Sequence, residues 1–395
     1  FFSGEELNSI YVGIISSLVL ITSPGYIGWH VSRTGDHDAV VIMFMMISFL
    51  AYFKFLQIPP GKKANNIFFI VCLSMIFGYL TKSIISLMFL PGMFIYTLFS
   101  KNLRRVLSSK IFYISLILFF IVVGGYYVTR EIFNHGYLKE VWSGELFPRY
   151  VNAEQNFWDE PFLYYINNMF SGRFIPWIYI CLPALLLQWF FIPKNNRAFS
   201  IYVTVTLILF ILFISAGSNN KWYDAPAYPL MAIITGQFYY YFLIQLLDKI
   251  IARKNFRNAI LVLVVLLSCY VPYRKIIKTN SINLDYSYNF PKYSICYLLR
   301  EYQNGKMEIP LPLNIVYESY NAHIKFYINS LKATKNIEEI KFASREEIMP
   351  GKFILISEQK IHDYIESEFT SKIISEYADA KILLITQRKS DQEVN

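Results

Sequence analysis

Apolar residues in this chain gather into nine blocks separated by short polar stretches. They lie at about residues 10–28, 38–56, 66–80, 84–99, 111–129, 174–192, 199–217, 229–247 and 259–273. A helix crossing a hydrocarbon core of roughly 30 Å needs a block of about this length. A helix is also what the bilayer demands, because a lipid-facing backbone has to satisfy its own N–H and C=O groups. The third and fourth blocks are shorter and are parted only by Thr81-Lys82-Ser83. They predict a tight helical hairpin or a partly re-entrant pair. Pro24, Pro91 and Pro183 fall inside blocks, which membrane helices tolerate better than soluble ones.

After about residue 285 the pattern changes. Residues 314–317, 353–356 and 381–385 are short runs of buried-strand character. Segments near 320–331 and 358–368 carry helical spacing. This tail contains no glycine-rich phosphate loop and no metal-ligand spacing. The expected architecture is a mainly α polytopic membrane protein, a helical bundle over 1–280, with a small C-terminal α/β soluble domain over 285–395.

Composition supports that division: 55% of the chain is hydrophobic and only 16% charged, too little charge to cover a soluble surface of this size. The net charge of +9 would by itself admit nucleic acid as a partner. Its placement argues for a membrane instead. Lys62, Lys63, Lys101, Arg104, Arg105, Lys110, Lys194, Arg197, Lys249, Arg253, Lys254 and Arg257 all sit in alternate short loops, with Asp248 the one acid among them. The positive-inside rule makes those loops cytoplasmic. The opposite loops hold Asp36, Glu131, Glu140, Glu145, Glu154, Asp159, Glu160 and Asp224, and the tail falls on their side. Cys72, Cys181 and Cys269 lie within apolar blocks and Cys296 beyond them, so neither a disulfide framework nor a thiolate metal site is indicated.

Three segments on the acidic side could carry chemistry. The first is Ser32-Arg33-Thr34-Gly35-Asp36-His37-Asp38, directly before a span. Carboxylates at a membrane interface are costly unless paired, hydrated or used. One Asp could serve as a general base toward an acceptor hydroxyl, or as a metal ligand, with Arg33 as a nearby counter-charge. The alternative is a hydrated helix cap. The second is Gly78-Tyr79-Leu80-Thr81-Lys82-Ser83. A lysine there suits the phosphate of a lipid-linked donor, or simply snorkels at a helix end. The third runs from Ser218 through Lys221-Trp222-Tyr223-Asp224-Ala225-Pro226 to Tyr228-Pro229. It suits a sugar or lipid headgroup, and it equally suits the aromatic belt of any membrane interface. The long loop 130–173 adds Gly136-Tyr137-Leu138, Glu145 and Arg149, and its aromatic residues suggest a helix lying on the membrane surface. Its His135 reads as a solvated loop histidine rather than a metal ligand.

In this order and on one side, these segments resemble the GT-C class of membrane glycosyltransferases. More narrowly they are similar to the bacterial branch related to protein O-mannosyltransferases and the lipid A aminoarabinose transferase. The resemblance rests on Arg33-Thr34-Gly35-Asp36-His37-Asp38, Leu80-Thr81-Lys82, Gly136-Tyr137-Leu138 with Glu145 and Arg149, and Lys221-Trp222-Tyr223-Asp224-Ala225-Pro226 with Tyr228-Pro229. It implies inverting transfer of a sugar from a polyprenyl-phosphate donor at the outer face of the bacterial cytoplasmic membrane. The acceptor would be lipid A, another glycolipid, a glycan or a protein. Carried over, Asp38 is the family's acidic position at the start of a span, with Asp36 beside it. Lys82 and Lys221 are donor-phosphate contacts, Glu145 an acceptor or metal contact, and Tyr223 a lining of the sugar site. Arg33 and Arg149 join the substrate-binding set. The resemblance allows a divalent cation without requiring any cofactor.

In the family an acidic base sits in the outer loop after the first span. Here the chain opens Phe1-Phe2-Ser3, in a region that would follow that loop, so a further N-terminal stretch carrying the principal base is expected. Two other functions compete. A transporter or flippase for a lipid-linked glycan predicts ionisable residues at mid-membrane and a repeat between halves, and neither is visible in the sequence. A non-catalytic assembly partner is the third reading.

Overall fold

The computed structural model describes residues 6–28, 31–32, 36–143, 163–216, 222–280, 286–319 and 321–389. The chain forms two compact units, Phe1–Ser281 and Ile282–Asn395.

The first unit is a helical bundle that follows the hydropathy blocks. It begins with α1 (Glu6–Ile21), the short α2 (Pro24–Ile27), α3 (Asp38–Gln57) and α4 (Lys62–Lys82). Then come α5 (Leu90–Phe99), the short α6 (Leu103–Leu107), α7 (Lys110–Phe133) and two short helices, α8 (Tyr137–Val141) and α9 (Tyr164–Asn168). It closes with α10 (Ile178–Phe191), α11 (Lys194–Ser215), α12 (Ala227–Ile250) and α13 (Lys254–Asn280). Among the described residues, α3, α4, α7, α11, α12 and α13 are long and apolar enough to cross a membrane, and α1, α5 and α10 are shorter. This is a multi-pass membrane protein.

Two expectations change. The third block is a full helix of 21 residues, about 31 Å long, because the polar stretch from Lys62 continues the helix outward. Only its partner is short: Ser83 takes φ 52°, and a 3-10 segment, Ser83–Leu87, leads into α5. The first block breaks early. The Thr22 and Ser23 hydroxyls donate back to the carbonyls of Leu18 (2.5 Å) and Val19 (2.6 Å), and Pro24 opens the next helix.

What aligns the helices is aromatic packing with internally satisfied polar atoms. Tyr202 of α11 stacks on Phe49 of α3 at 4.2 Å and meets Tyr96 of α5 at 4.9 Å. Its hydroxyl donates to the Phe49 carbonyl at 2.9 Å. At the basic end of the bundle Arg105 donates to the carbonyls of Phe55 and Leu56 in the last turn of α3 and to that of Ile58 just beyond it, where the helix dipole favours a cation. Close helix approach needs small residues in a membrane, since apolar surface gains little by leaving lipid. A Cβ at Gly92 of α5 would lie 2.4 Å from Thr206 Cα of α11. Gly92→Ala is therefore expected to force the two helices apart and to cost about 1–3 kcal/mol. Gly124→Ala, where nothing lies within 4 Å, is the control. Thermal unfolding in detergent micelles compares them, and equal midpoints would refute the close crossing.

The second unit holds a five-stranded sheet of order β2-β1-β3-β5-β4. Its elements are α14 (Tyr286–Gln303), β1 (Leu313–Ile315), α15 (Ala322–Lys335), β2 (Ile340–Phe342), β3 (Phe353–Ile356), α16 (Gln359–Glu368), β4 (Phe369–Tyr377) and β5 (Ala380–Arg388). β1 runs parallel to β2 and β3, and β5 antiparallel to β3 and β4. Strand alternation sends Leu355 and Ile382 to one face, against Leu298 of α14 and Leu331 of α15. Ile354 and Leu383 go to the other face, against Ile361 and Ile365 of α16. The hydropathy reading finds the three inner strands. It misses β2, only three residues long, and β4, whose pattern is mostly exposed.

Candidate functional site

Helix direction brings the acidic-side segments to one end of the bundle. α3 starts at Asp38, α4 stops at Lys82, α10 begins soon after Arg173, and α12 begins soon after Asp224. The loops rich in Lys and Arg lie at the other end, between α3 and α4, α10 and α11, and α12 and α13.

Asp38 and Lys82 form a direct ion pair there. The Asp38 side chain is nearly buried, at 8% exposure, and the Lys82 side chain remains 24% exposed. The pair is assembled by the long antiparallel contact of α3 with α4, whose helices meet along most of their length. Asp38 is the first residue of α3, following the N-cap residue His37, and its charge is met by Lys82. Asp36 is exposed. An ammonium oriented by a carboxylate and still reachable from solvent is equipped to meet a phosphate.

A second polar cluster lies at the same end. Arg173 makes a bidentate pair with Asp224, Nε to Oδ2 at 2.9 Å and Nη2 to Oδ1 at 2.7 Å. The Tyr228 hydroxyl donates to Asp224 Oδ2 at 2.6 Å, and Arg173 Nη2 reaches the Gly25 carbonyl at 3.4 Å. Asp224 is fully buried. Burial pushes its carboxyl above the ordinary range, against the pull of the guanidinium and the tyrosine hydroxyl. Burial also works against charged Arg173, but the bonds to the carboxylate outweigh it and raise its pKa. Gly25 fits because nothing larger would: a Cβ there would lie 2.4 Å from the Tyr228 ring. Nearby, Trp177 Nε1 donates to Thr22 Oγ1 at 2.9 Å, fixing the start of α10 against the end of α1.

Sequence reasoning passed over Arg173 and gave Asp224 no role of its own. A lone arginine in a long loop carries no pattern, and its partner lies 51 residues away. Tyr223 is half-buried beside Trp222, with ring centroids 6.2 Å apart. Arg33, Glu145, Arg149 and Lys221 lie outside the described residues. So does most of the surface helix expected in the long loop, of which the described part is α8. In the second unit His362, Asp363 and Glu366 bring ligand atoms within 4.8 Å of one another on α16, a spacing the sequence reading did not register.

A cavity of about 920 Å³ lies between α1, α3, α11 and α12. Tyr26, Ile42 and Pro229 line it toward the Asp38 end, while Gln57, Asn195 and Asn196 line it toward the basic end. Ile42 is one turn along α3 from Asp38, and Pro229 directly follows Tyr228. The walls between are mainly aliphatic, as a lipid chain would require.

Residues 6–127 match the family model described as dolichyl-phosphate-mannose-protein mannosyltransferase. A search of curated proteins finds no match. Among solved structures, the fold is similar to that of ArnT from Cupriavidus metallidurans bound to undecaprenyl phosphate. The TM-score is 0.62 at 13% identity, covering 95% of this chain and 79% of that one. The apo state of ArnT gives 0.56 at 12% identity, covering 95% and 83%. The fold is that of the GT-C membrane glycosyltransferases.

Proposed function

We propose that this chain, GT-C in fold, transfers a sugar from a polyprenyl-phosphate donor to an acceptor hydroxyl at the outer face of the bacterial cytoplasmic membrane. The observation that carries the reading is the Asp38–Lys82 pair, set at the end of the bundle where the apolar cavity is lined by Ile42 and Pro229. A cation at the same end of the bundle as a mainly aliphatic cavity supports this reading, because a polyprenyl phosphate carries one charged group and one apolar chain. The related crystal structure holds undecaprenyl phosphate.

In the reaction the acceptor oxygen attacks the anomeric carbon and the bond from that carbon to the phosphate oxygen breaks. The electron pair leaves with polyprenyl phosphate, and the hydroxyl proton passes to a carboxylate. Lys82 meets the charge that grows on the departing phosphate. Asp38 aims Lys82, and with Asp36 it supplies carboxylate at the reacting end. Arg33 and Lys221 add cations for the donor, Glu145 and Arg149 face the acceptor, and Tyr223 lines the sugar. The second unit sits on the periplasmic side. Lipid A, another glycolipid, a glycan or a protein would serve as acceptor.

Purified protein in detergent, given a labelled polyprenyl-phosphate sugar and a panel of such acceptors, is expected to move label into one of them and release polyprenyl phosphate. Movement of the intact labelled lipid across vesicles, with no bond cleaved, would replace transfer by transport.

A further inference from the structure

The second unit has a cleft of about 420 Å³ between α15 and β2. Lys325, Asn329 and Lys332 stand at i, i+4 and i+7 on α15 and so share one helical face. Lys341 of β2 also lines the cleft, together with Ile328, Ile340 and Phe342. Glu338 is the one acidic lining residue, and it pairs with Lys332 at 2.9 Å. Three ammonium groups against one carboxylate leave the cleft strongly positive.

Two further observations point the same way. The Glu338 carboxyl is held below its usual range, first by its bond to Lys332 and also by the charge of Lys341. β2 is also an edge strand, whose outward backbone amides have no neighbouring strand to bind. α15 itself carries Lys325, Lys332 and Lys335 and no acid.

We infer that this cleft binds a phosphate group, as a phosphomonoester or pyrophosphate on a small sugar-sized ligand, between Lys325, Lys332 and Lys341. Ammonium groups lining one cleft with the Asn329 amide among them are the chemistry of phosphate capture. Glu338 occupies Lys332 when the ligand is absent and gives it up when the phosphate arrives. Such a site gives the second unit a binding role that does not depend on how the membrane unit works.

Full-length protein in neutral detergent is titrated with glucosamine 1-phosphate and with inorganic pyrophosphate by calorimetry, and separately with vesicles containing phosphatidic acid. Saturable binding of either soluble compound is expected. It weakens at least about tenfold in Lys325→Gln/Lys341→Gln, the equivalent of one lost charge-assisted hydrogen bond. Glu338→Gln is expected to tighten it severalfold, because Lys332 is released from its internal partner. These are exposed positions, and the unfolding midpoint verifies that each variant is folded. Binding of vesicles alone would overturn the small-ligand site in favour of a lipid surface. Absence of saturable binding, or affinities unmoved in both variants, would refute the cleft altogether.

Discussion

Lys82→Ala is expected to reduce sugar transfer by at least about 100-fold, the scale lost when a positioned charged group leaves a reaction centre. The substitution removes the cation proposed to meet the donor phosphate and leaves Asp38, only 8% exposed, without its counter-charge. A nearly buried carboxylate without a partner is costly, so the single variant also loses stability. That confounds a simple reading. The double variant Asp38→Asn/Lys82→Met resolves it by removing both charges at similar volume. If the pair only holds α3 against α4, the neutral double variant regains both folding and turnover. The expectation here is that it regains its unfolding midpoint in micelles and remains inactive. Recovered transfer would take Asp38 and Lys82 out of the reaction.

Asp224→Ala is expected to destabilise the membrane unit by about 3–5 kcal/mol, the cost of stranding a buried charge. The carboxylate is wholly buried and takes both arms of the Arg173 guanidinium and the Tyr228 hydroxyl. Without it, Arg173 keeps only the Gly25 carbonyl and the Tyr228 oxygen, neither of which carries charge. Arg173→Lys is expected to fall in between, because an ammonium group cannot form the two parallel bonds. Replacing both partners, Arg173→Met with Asp224→Leu, recovers most of the loss, since well-packed apolar residues substitute for a buried pair at little cost. Denaturant unfolding followed by tryptophan fluorescence reports all three variants, with Trp177 adjacent to the cluster through Thr22. Wild-type stability in Asp224→Ala would mean that this pair is not formed.

The two ion pairs differ in how far they could be read in advance. Asp38 and Lys82 each stood out because a charge beside an apolar block is conspicuous, and both were assigned to one side by the basic loops. That they touch was not legible, since 44 residues separate them. Arg173 had no such contrast in its polar loop, and Asp224 was hidden within an aromatic cluster that any membrane interface could show. In the second unit the same limit appears in strand order. Inner strands such as Phe353–Ile356 are apolar runs, but the edge strand Phe369–Tyr377 looks like a solvated segment until Ala380–Arg388 pairs with it.

By itself the sequence determined where the spans lie, how they alternate between a basic and an acidic side, and where an α/β tail begins. Those features follow from local composition, because lipid excludes charge and unsatisfied backbone residue by residue. Tertiary structure alone decided which helices meet, that Lys82 reaches Asp38, and that Arg173 closes on Asp224. The reason is that membrane helices such as α4 and α7 are apolar on nearly every side. Lipid is as good a neighbour as another helix, so hydropathy does not mark the packing face. Small residues such as Gly92 and Gly25, aromatic stacking around Tyr202 and a few buried polar partners make that choice in three dimensions.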